Sequence, residues 1–192
     1  MKLSDLIRLN PDVKIEGSVD RDITALISDS RKTIPGSLFI ALRGAHSDGH
    51  QHIEQAIEKG AAAILIQEDH MTSAHPEITI IRSINPRQTI ALFASQFFDN
   101  PSDKLQTIGV TGTNGKTTVT YMLQSLLEHL GVPCGVIGTV GAHYAGMHHP
   151  TGATTPESPE LQKFLSDMVH AGMQAVAIDR KSTRLNSSHR IR

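Results

Sequence analysis

An α/β fold in two parts is what the sequence predicts, and three observations predict it. Short apolar runs of strand composition alternate with segments whose apolar residues recur at helical spacing, the order that builds parallel sheets through crossover helices. A glycine-rich loop, Gly109 to Thr118, stands between one such strand and one such helix. A polar, proline-containing stretch, Asp99-Asn100-Pro101-Ser102-Asp103-Lys104, interrupts the alternation halfway and reads as a linker. The expectation is a small N-terminal α/β domain over 1–98, a linker over 99–104, a parallel-sheet domain begun over 105–179, and a basic tail over 180–192.

Leu3, Leu6 and Ile7 suggest a short opening helix ended by Asn10-Pro11. Extended pieces follow at Val13 to Glu16, Ile23 to Ser28 and Ser37 to Leu42, separated by turn residues at Gly17-Ser18 and Pro35-Gly36. Asp48-Gly49 opens a helix with Ile53, Ala56 and Ile57 on one face, and Gly60 closes it. Ala61 to Ile66 and Ile78 to Ile81 read as buried strands. Pro86, preorganised for a first helical position, starts a helix carrying Ile90, Leu92, Phe93 and Phe97.

The second half begins with the strand Leu105 to Val110. After the loop, Val119, Met122, Leu123, Leu126, Leu127 and Leu130 form one apolar stripe of an amphipathic helix that Gly131 stops. Cys134 to Gly138 is a strand, Thr139 to Pro156 a polar glycine-rich stretch, and Leu161, Phe164, Leu165, Met168 and Val169 lie on a helix. Gln174 to Ile178 is a further buried strand. About three strands are too few for a sheet of this type, so the domain reads as cut short.

Strand, glycine loop and helix in that order make an anion site. Gly112 and Gly115 let the backbone turn tightly, and the helix N-terminus adds partial positive charge. Lys116 can reach the outer phosphates of a nucleoside triphosphate, and the Thr117 hydroxyl can ligate Mg²⁺. The common pattern would need glycine at Val110; this loop has Gly109 and Gly112 instead, which makes it an off-pattern P-loop.

The formal charge of −1 gives no reason to expect nucleic acid or an anionic membrane surface as a partner. Arg180, Lys181, Arg184, Arg190 and Arg192 crowd a tail without a single acid, so the rest of the chain is acidic. That tail lacks apolar periodicity and reads as a foreign or frameshifted end in preference to the other reading, a disordered basic tail that binds a partner. The lone cysteine, Cys134, excludes an intrachain disulfide, and no apolar run approaches the length of a membrane span. A soluble, cytoplasmic protein is expected.

Three groups of residues carry a resemblance. Gly112-Thr113-Asn114-Gly115-Lys116-Thr117-Thr118 resembles the ATP loop of the Mur ligases and their folylpolyglutamate synthase relatives. Ser28-Asp29-Ser30-Arg31, then Ile34 to Gly44, then Asp48-Gly49-His50 resemble the N-terminal uridine-diphosphate-binding domain that two Mur ligases share. Ala153-Thr154-Thr155-Pro156-Glu157-Ser158-Pro159 is similar to the branch that adds the third peptide residue rather than the terminal dipeptide. The resemblance covers residues 1 to about 179. It implies a UDP-binding domain followed by a truncated P-loop ATPase domain, and an enzyme that forms an amide bond through an acyl phosphate. ATP and Mg²⁺ are the implied cofactors. UDP-N-acetylmuramoyl-dipeptide and a diamino acid, diaminopimelate or lysine, are the implied substrates, acted on by a monomer.

The resemblance also assigns residues. Gly112, Thr113, Asn114, Gly115, Lys116, Thr117 and Thr118 would hold ATP, with Lys116 neutralising the β/γ-phosphates and Thr117 on Mg²⁺. Ser30 would contact the uridine nucleotide, and Thr154 and Thr155 its sugar and peptide portion. Asp179 stands where the family has a magnesium-binding glutamate, but Arg180-Lys181 follows instead of the family's Val-Ser-Ser-His-Ala-like run.

Other readings carry less. His46, His50 and His52, and His143, His148 and His149, lack an accompanying cysteine or a helical ligand face and read as exposed or substrate-side loop residues rather than zinc ligands. Asp29-Ser30-Arg31 by itself is a capping turn with a surface ion pair. Two function classes stand: an ATP-dependent ligase, and a nucleotide-binding protein without catalysis.

Overall fold

The computed structural model describes residues 1–8, 10, 12–44, 48–70, 75–151 and 155–180. Thr154, His46 and the tail beyond Arg180 therefore lie outside the described residues. The chain divides into two compact units, Met1–Phe97 and Phe98–Arg192.

The first unit runs α1 (Leu3–Ile7), β1 (Lys14–Glu16), β2 (Ala25–Ile27), a 3₁₀ turn (Ser30–Lys32), β3 (Ser37–Ile40), a 3₁₀ turn (Gly49–His52) leading into α2 (Ile53–Glu58), β4 (Ala63–Gln67), β5 (Thr79–Ser83) and α3 (Pro86–Phe97). The strands lie in the order β1-β5-β4-β3-β2. β2 to β5 are mutually parallel, and β1 pairs antiparallel with β5 at the edge.

Alternation of side chains along each strand builds two cores from one sheet. Leu38, Ile40, Leu65 and Ile81 point to one face, where Leu3 and Leu6 of α1 and Ile90 and Phe93 of α3 cover them. Phe39, Ile64, Ile66 and Ile80 point to the other, against Ile53 and Ala56 of α2. A sheet buried on both faces explains why its central strands read as unbroken apolar runs. On α3, Leu92 is 40% exposed, whereas Thr89, Ile90, Phe93 and Ala94 are buried. We expect residues 1–100 to fold alone, because both faces of this sheet are covered from within the unit. A protein ending at Asn100 should show one cooperative thermal transition and dispersed amide resonances; a broad, non-cooperative melt would refute this.

The second unit opens on a 3₁₀ turn (Pro101–Asp103) within the stretch expected as a linker; Pro101 is buried and the turn packs on α5 and β6. It continues through β6 (Gln106–Val110), α4 (Lys116–His129), β7 (Cys134–Gly138), β8 (Gly141–Tyr144), β9 (Met147–His149), α5 (Ser158–His170) and β10 (Ala175–Asp179). The strand order is β6-β10-β7-β8-β9, with β6, β10 and β7 parallel. Ile137, Val176 and Ile178 meet Phe164, Leu165 and Met168 of α5 on one face. Val136, Ala175 and Ala177 meet Tyr121, Leu123 and Leu127 of α4 on the other.

Two expectations are corrected here. The polar stretch 139–156 contains the antiparallel hairpin β8–β9, so the sheet has five strands rather than about three. Its two-residue turn, Ala145-Gly146, holds both residues at positive φ (49° and 74°), the type I′ geometry normally flagged by Asn-Gly. Second, the apolar stripe of α4 is split. Leu123 and Leu127 face the sheet, whereas Val119, Met122, Leu126 and Leu130 are 42%, 65%, 56% and 66% exposed. Among the described residues β6 pairs only with β10 and forms the edge of the sheet.

Candidate active site

The carboxyl ends of β6, β7 and β10 converge on one place, where parallel sheets gather their ligands. β6 ends at Val110, the loop Thr111 to Gly115 follows, and α4 starts at Lys116. Gly115 caps the helix at φ 77°, a left-handed conformation that costs a residue with a Cβ about 1–2 kcal/mol. Asn114 and Gly115 are exposed, and Gly115 has no side chain to cap the helix, so the first N–H groups of α4 point outward from an open loop. Lys116 folds back on that loop: Nζ donates to the Gly112 carbonyl at 2.8 Å and to the Thr113 carbonyl at 3.4 Å. Its ammonium is thereby parked over the hollow that an anion would enter.

Thr117 and Asp179 form the polar centre. The Thr117 hydroxyl donates to Asp179 Oδ2 at 2.7 Å, and the Thr139 hydroxyl lies 3.3 Å from the same oxygen. Asp179 is fully buried, and its other oxygen, Oδ1, has no hydrogen-bond partner among the described residues. A buried carboxylate with an orphaned oxygen beside a threonine hydroxyl fits a divalent cation, whose charge would offset the desolvation. Thr155, the other half of the predicted threonine pair, comes close to the same strand end, with Oγ1 3.4 Å from the Asp179 carbonyl. The loop, Thr117, Thr155 and Asp179 are thus brought together, and Thr118 is exposed on the first turn of α4. Thr139 was missed in the sequence; its position one residue past the end of β7 was the available signal.

In the first unit the predicted Ser30 is buried, and its hydroxyl donates to Gln55 Oε1 at 2.6 Å. Asp29 caps the turn by accepting from the Arg31 N–H and holds the Arg31 guanidinium through both oxygens at 2.9 Å. Contrary to expectation, His50 is buried, 6% exposed, while His52 is exposed. Its Nδ1 lies 2.6 Å from Asp48 Oδ1, and its ring packs 4.2 Å from that of His70.

Burial is the largest cause that lowers the His70 pKa, followed by the neighbouring His50; Asp48 pulls it up, and Arg43 and Arg82 lower it by less. A depressed folded pKa means that below the ordinary value of 6.5 the unfolded chain binds the proton first. The stabilisation is complete above that pH and is lost as pH falls through the folded value. The urea midpoint of the first unit should therefore begin to drop below about pH 6.5, and His70→Gln should flatten that decline. An unchanged pH profile in the variant would exclude His70 as its source.

This geometry defines a class: an α/β protein with a glycine-rich loop at a helix N-terminus beside a buried carboxylate. The profile of the Mur ligase family catalytic domain matches residues 22–98, and that of the Mur ligase middle domain matches residues 110–192. The chain belongs to the Mur ligase family.

Over 191 residues it is 40% identical to the UDP-N-acetylmuramoyl-L-alanyl-D-glutamate–2,6-diaminopimelate ligase of Caldanaerobacter subterraneus subsp. tengcongensis, covering 100% of this chain and 39% of that one. It is 37% identical over 185 residues to the ligase of the same name in Geobacter sulfurreducens, covering 96% and 36%. A solved structure of a ligase with that name superposes with a TM-score of 0.74 at 25% identity, over 94% of this chain and 36% of the other. A MurF ligase from Thermotoga maritima, solved with ADP, shares the fold with a TM-score of 0.58 at 23% identity, over 83% and 32%. The chain thus spans little more than a third of the length of these relatives.

Among the described residues no helix is long and apolar enough to cross a membrane.

Proposed function

We propose that the chain carries the UDP-substrate domain and the beginning of the ATPase domain of an ATP-dependent amide-forming ligase. The reaction is addition of the third amino acid, meso-diaminopimelate, to UDP-N-acetylmuramoyl-L-alanyl-D-glutamate in cytoplasmic peptidoglycan precursor synthesis. The observation that carries the reading is the junction of loop and α4, with Lys116 over the loop and Thr117 against Asp179. It occurs in a chain that aligns along nearly its whole length with ligases of that name.

In this reading the N–H groups of residues 112–118 receive the phosphate oxygens of ATP at the positive end of α4. Lys116 moves its ammonium from the Gly112 carbonyl to the β/γ-phosphates. Thr117 and Asp179 would hold Mg²⁺, which supplies charge neutralisation on the phosphates when bound. Thr154 and Thr155 hold the sugar and peptide portion of the UDP substrate, and Ser30 holds its uridine nucleotide. A carboxylate oxygen of the dipeptide takes the γ-phosphoryl group, ADP leaves, and the amine then displaces phosphate from the acyl phosphate. Such chemistry needs positioning and charge neutralisation above all. The protein works as a monomer, without nucleic acid or membrane.

The second reading, a nucleotide-binding protein without catalysis, is favoured by Arg180-Lys181, two cations next to Asp179 in the sequence that would compete with a metal there. One experiment separates the two. The chain alone, given UDP-N-acetylmuramoyl-dipeptide, ATP and diaminopimelate, should form no product above a protein-free control. Residues 1–179 joined to the remainder of the Caldanaerobacter ligase should form the tripeptide product with one ADP per bond. A well-folded, ATP-binding chimaera that makes no product would decide for the second reading.

A further inference from the structure

Asp48-Gly49-His50 has a geometry that the reading above leaves unused. Asp48 Oδ1 accepts from the His50 N–H at 3.0 Å and sits 2.6 Å from its Nδ1. His50 Nε2 in turn accepts from the N–H of Gln67, the last residue of β4, at 3.4 Å. The ring is therefore a strut between the end of β4 and the carboxylate of Asp48. Gly49 is required between them: its N–H donates to the Leu42 carbonyl at 2.9 Å, and a Cβ there would lie 2.8 Å from Leu42 N and 2.9 Å from Leu42 O. Asp48 and Arg43 form an antiparallel bridge, and Asp48 Oδ2 lies 3.5 Å from Arg43 Nε.

The chain of contacts runs from β4 through His50 and Asp48 to a guanidinium whose side chain is 53% exposed. That guanidinium stands just beyond the carboxyl end of β3, the ligand-gathering edge of this sheet. Arg31, by contrast, is committed to both oxygens of Asp29. The Asp48 carboxylate holds the planar Arg43 guanidinium by charge, at 3.5 Å from Nε, and leaves its terminal nitrogens as a fork, the geometry that phosphate oxygens accept. A satisfied core histidine would need neither an acidic partner reaching solvent nor a cation beyond it.

We propose that Arg43 contacts the diphosphate of the UDP-linked substrate and that His50 is a positioning residue, aiming Arg43 through Asp48. The proposal rests on the reading of the first unit as the UDP-substrate domain. NMR titrations of the whole chain with UDP and with uridine test both. Wild type should bind both, UDP the more tightly. Arg43→Gln should weaken UDP by about tenfold, the worth of one charge-assisted hydrogen bond, and leave uridine within twofold. His50→Leu should reproduce this selective loss, and His50→Gln, whose carbonyl can still accept from Gln67, should recover part of it. Should His50→Leu fail to fold, Asp48→Asn, at a half-exposed site, carries the same test. Equal losses for UDP and uridine, or none, overturn the positioning role while leaving the UDP-domain reading intact. A wild-type chain that binds neither ligand overturns both.

Discussion

Replacing Lys116 by alanine is expected to slow ligation by roughly two to four decades, about 3–5 kcal/mol of transition-state stabilisation, the scale seen when one preorganised electrostatic donor is lost. The side chain sits on the first turn of α4 and makes its hydrogen bonds to loop carbonyls, not to the core. Its removal should leave the thermal midpoint within a few degrees of wild type, because little apolar surface is uncovered. The ammonium matters where negative charge grows on the β/γ oxygens, so the loss falls on rate. Affinity for UDP itself should stay unchanged, since Ser30, the proposed uridine contact, belongs to the other unit. The measurement is the ligation rate of the chimaera with and without the substitution. A variant within threefold of wild type would mean that this loop does not hold the reacting phosphates.

Phe93→Ala should have the largest effect on folding. Phe93 is fully buried among Leu3, Leu6, Leu38, Leu65 and Ile90, between α3 and the sheet. Emptying that volume costs about 3–5 kcal/mol, the transfer free energy plus the cavity left behind. A domain of this size has about 5–10 kcal/mol in total, so the variant should lose roughly a third of its stability or more. Urea unfolding of the whole chain, followed by a probe in each unit, reads this directly. The matched control is Leu126→Ala on α4, which should cost under 1 kcal/mol because that side chain is already 56% exposed. Similar losses at the two sites would contradict the packing described here.

Those two residues also mark where sequence reasoning succeeded and where it stopped. Phe93 and Leu126 both occupy apolar stripes at helical spacing, and periodicity cannot say which stripe meets a sheet. The bounds of α3 and β7 were legible because Pro86 and Gly138 punctuate them. The parallel run β6, β10 and β7 followed from alternating elements, whereas the antiparallel β1 at the edge of the first sheet did not. The β8–β9 hairpin was not legible: its strands hold Ala, His, Tyr and Met, and its turn lacks the Asn-Gly signal. In the candidate site, the loop and Thr117 stood out because glycine spacing is a local property. The contact of Thr117 with Asp179 spans 62 residues, and sequence alone does not supply that kind of distance. His50 was read as a loop histidine because its two partners, a neighbouring acid and a backbone N–H at residue 67, become visible only once β4 is in place.

The uncovered flank of α4 bears on how this protein behaves in the tube. Val119, Met122, Leu126 and Leu130 form a greasy ridge one helix wide, in a unit whose β6 is, among the described residues, an edge strand. Together they offer a neighbouring molecule both a strand to pair with and a surface to bury, the combination that drives sheet-edge aggregation. Attraction between copies should therefore grow steeply with concentration and with salt that strengthens apolar association. Placing Lys at Met122 and Glu at Leu126 would wet the ridge and set an i,i+4-range charge pattern without reaching the phosphate loop. Colloidal stability, read by light scattering against concentration, is thus governed by four side chains that take no part in either sheet's core.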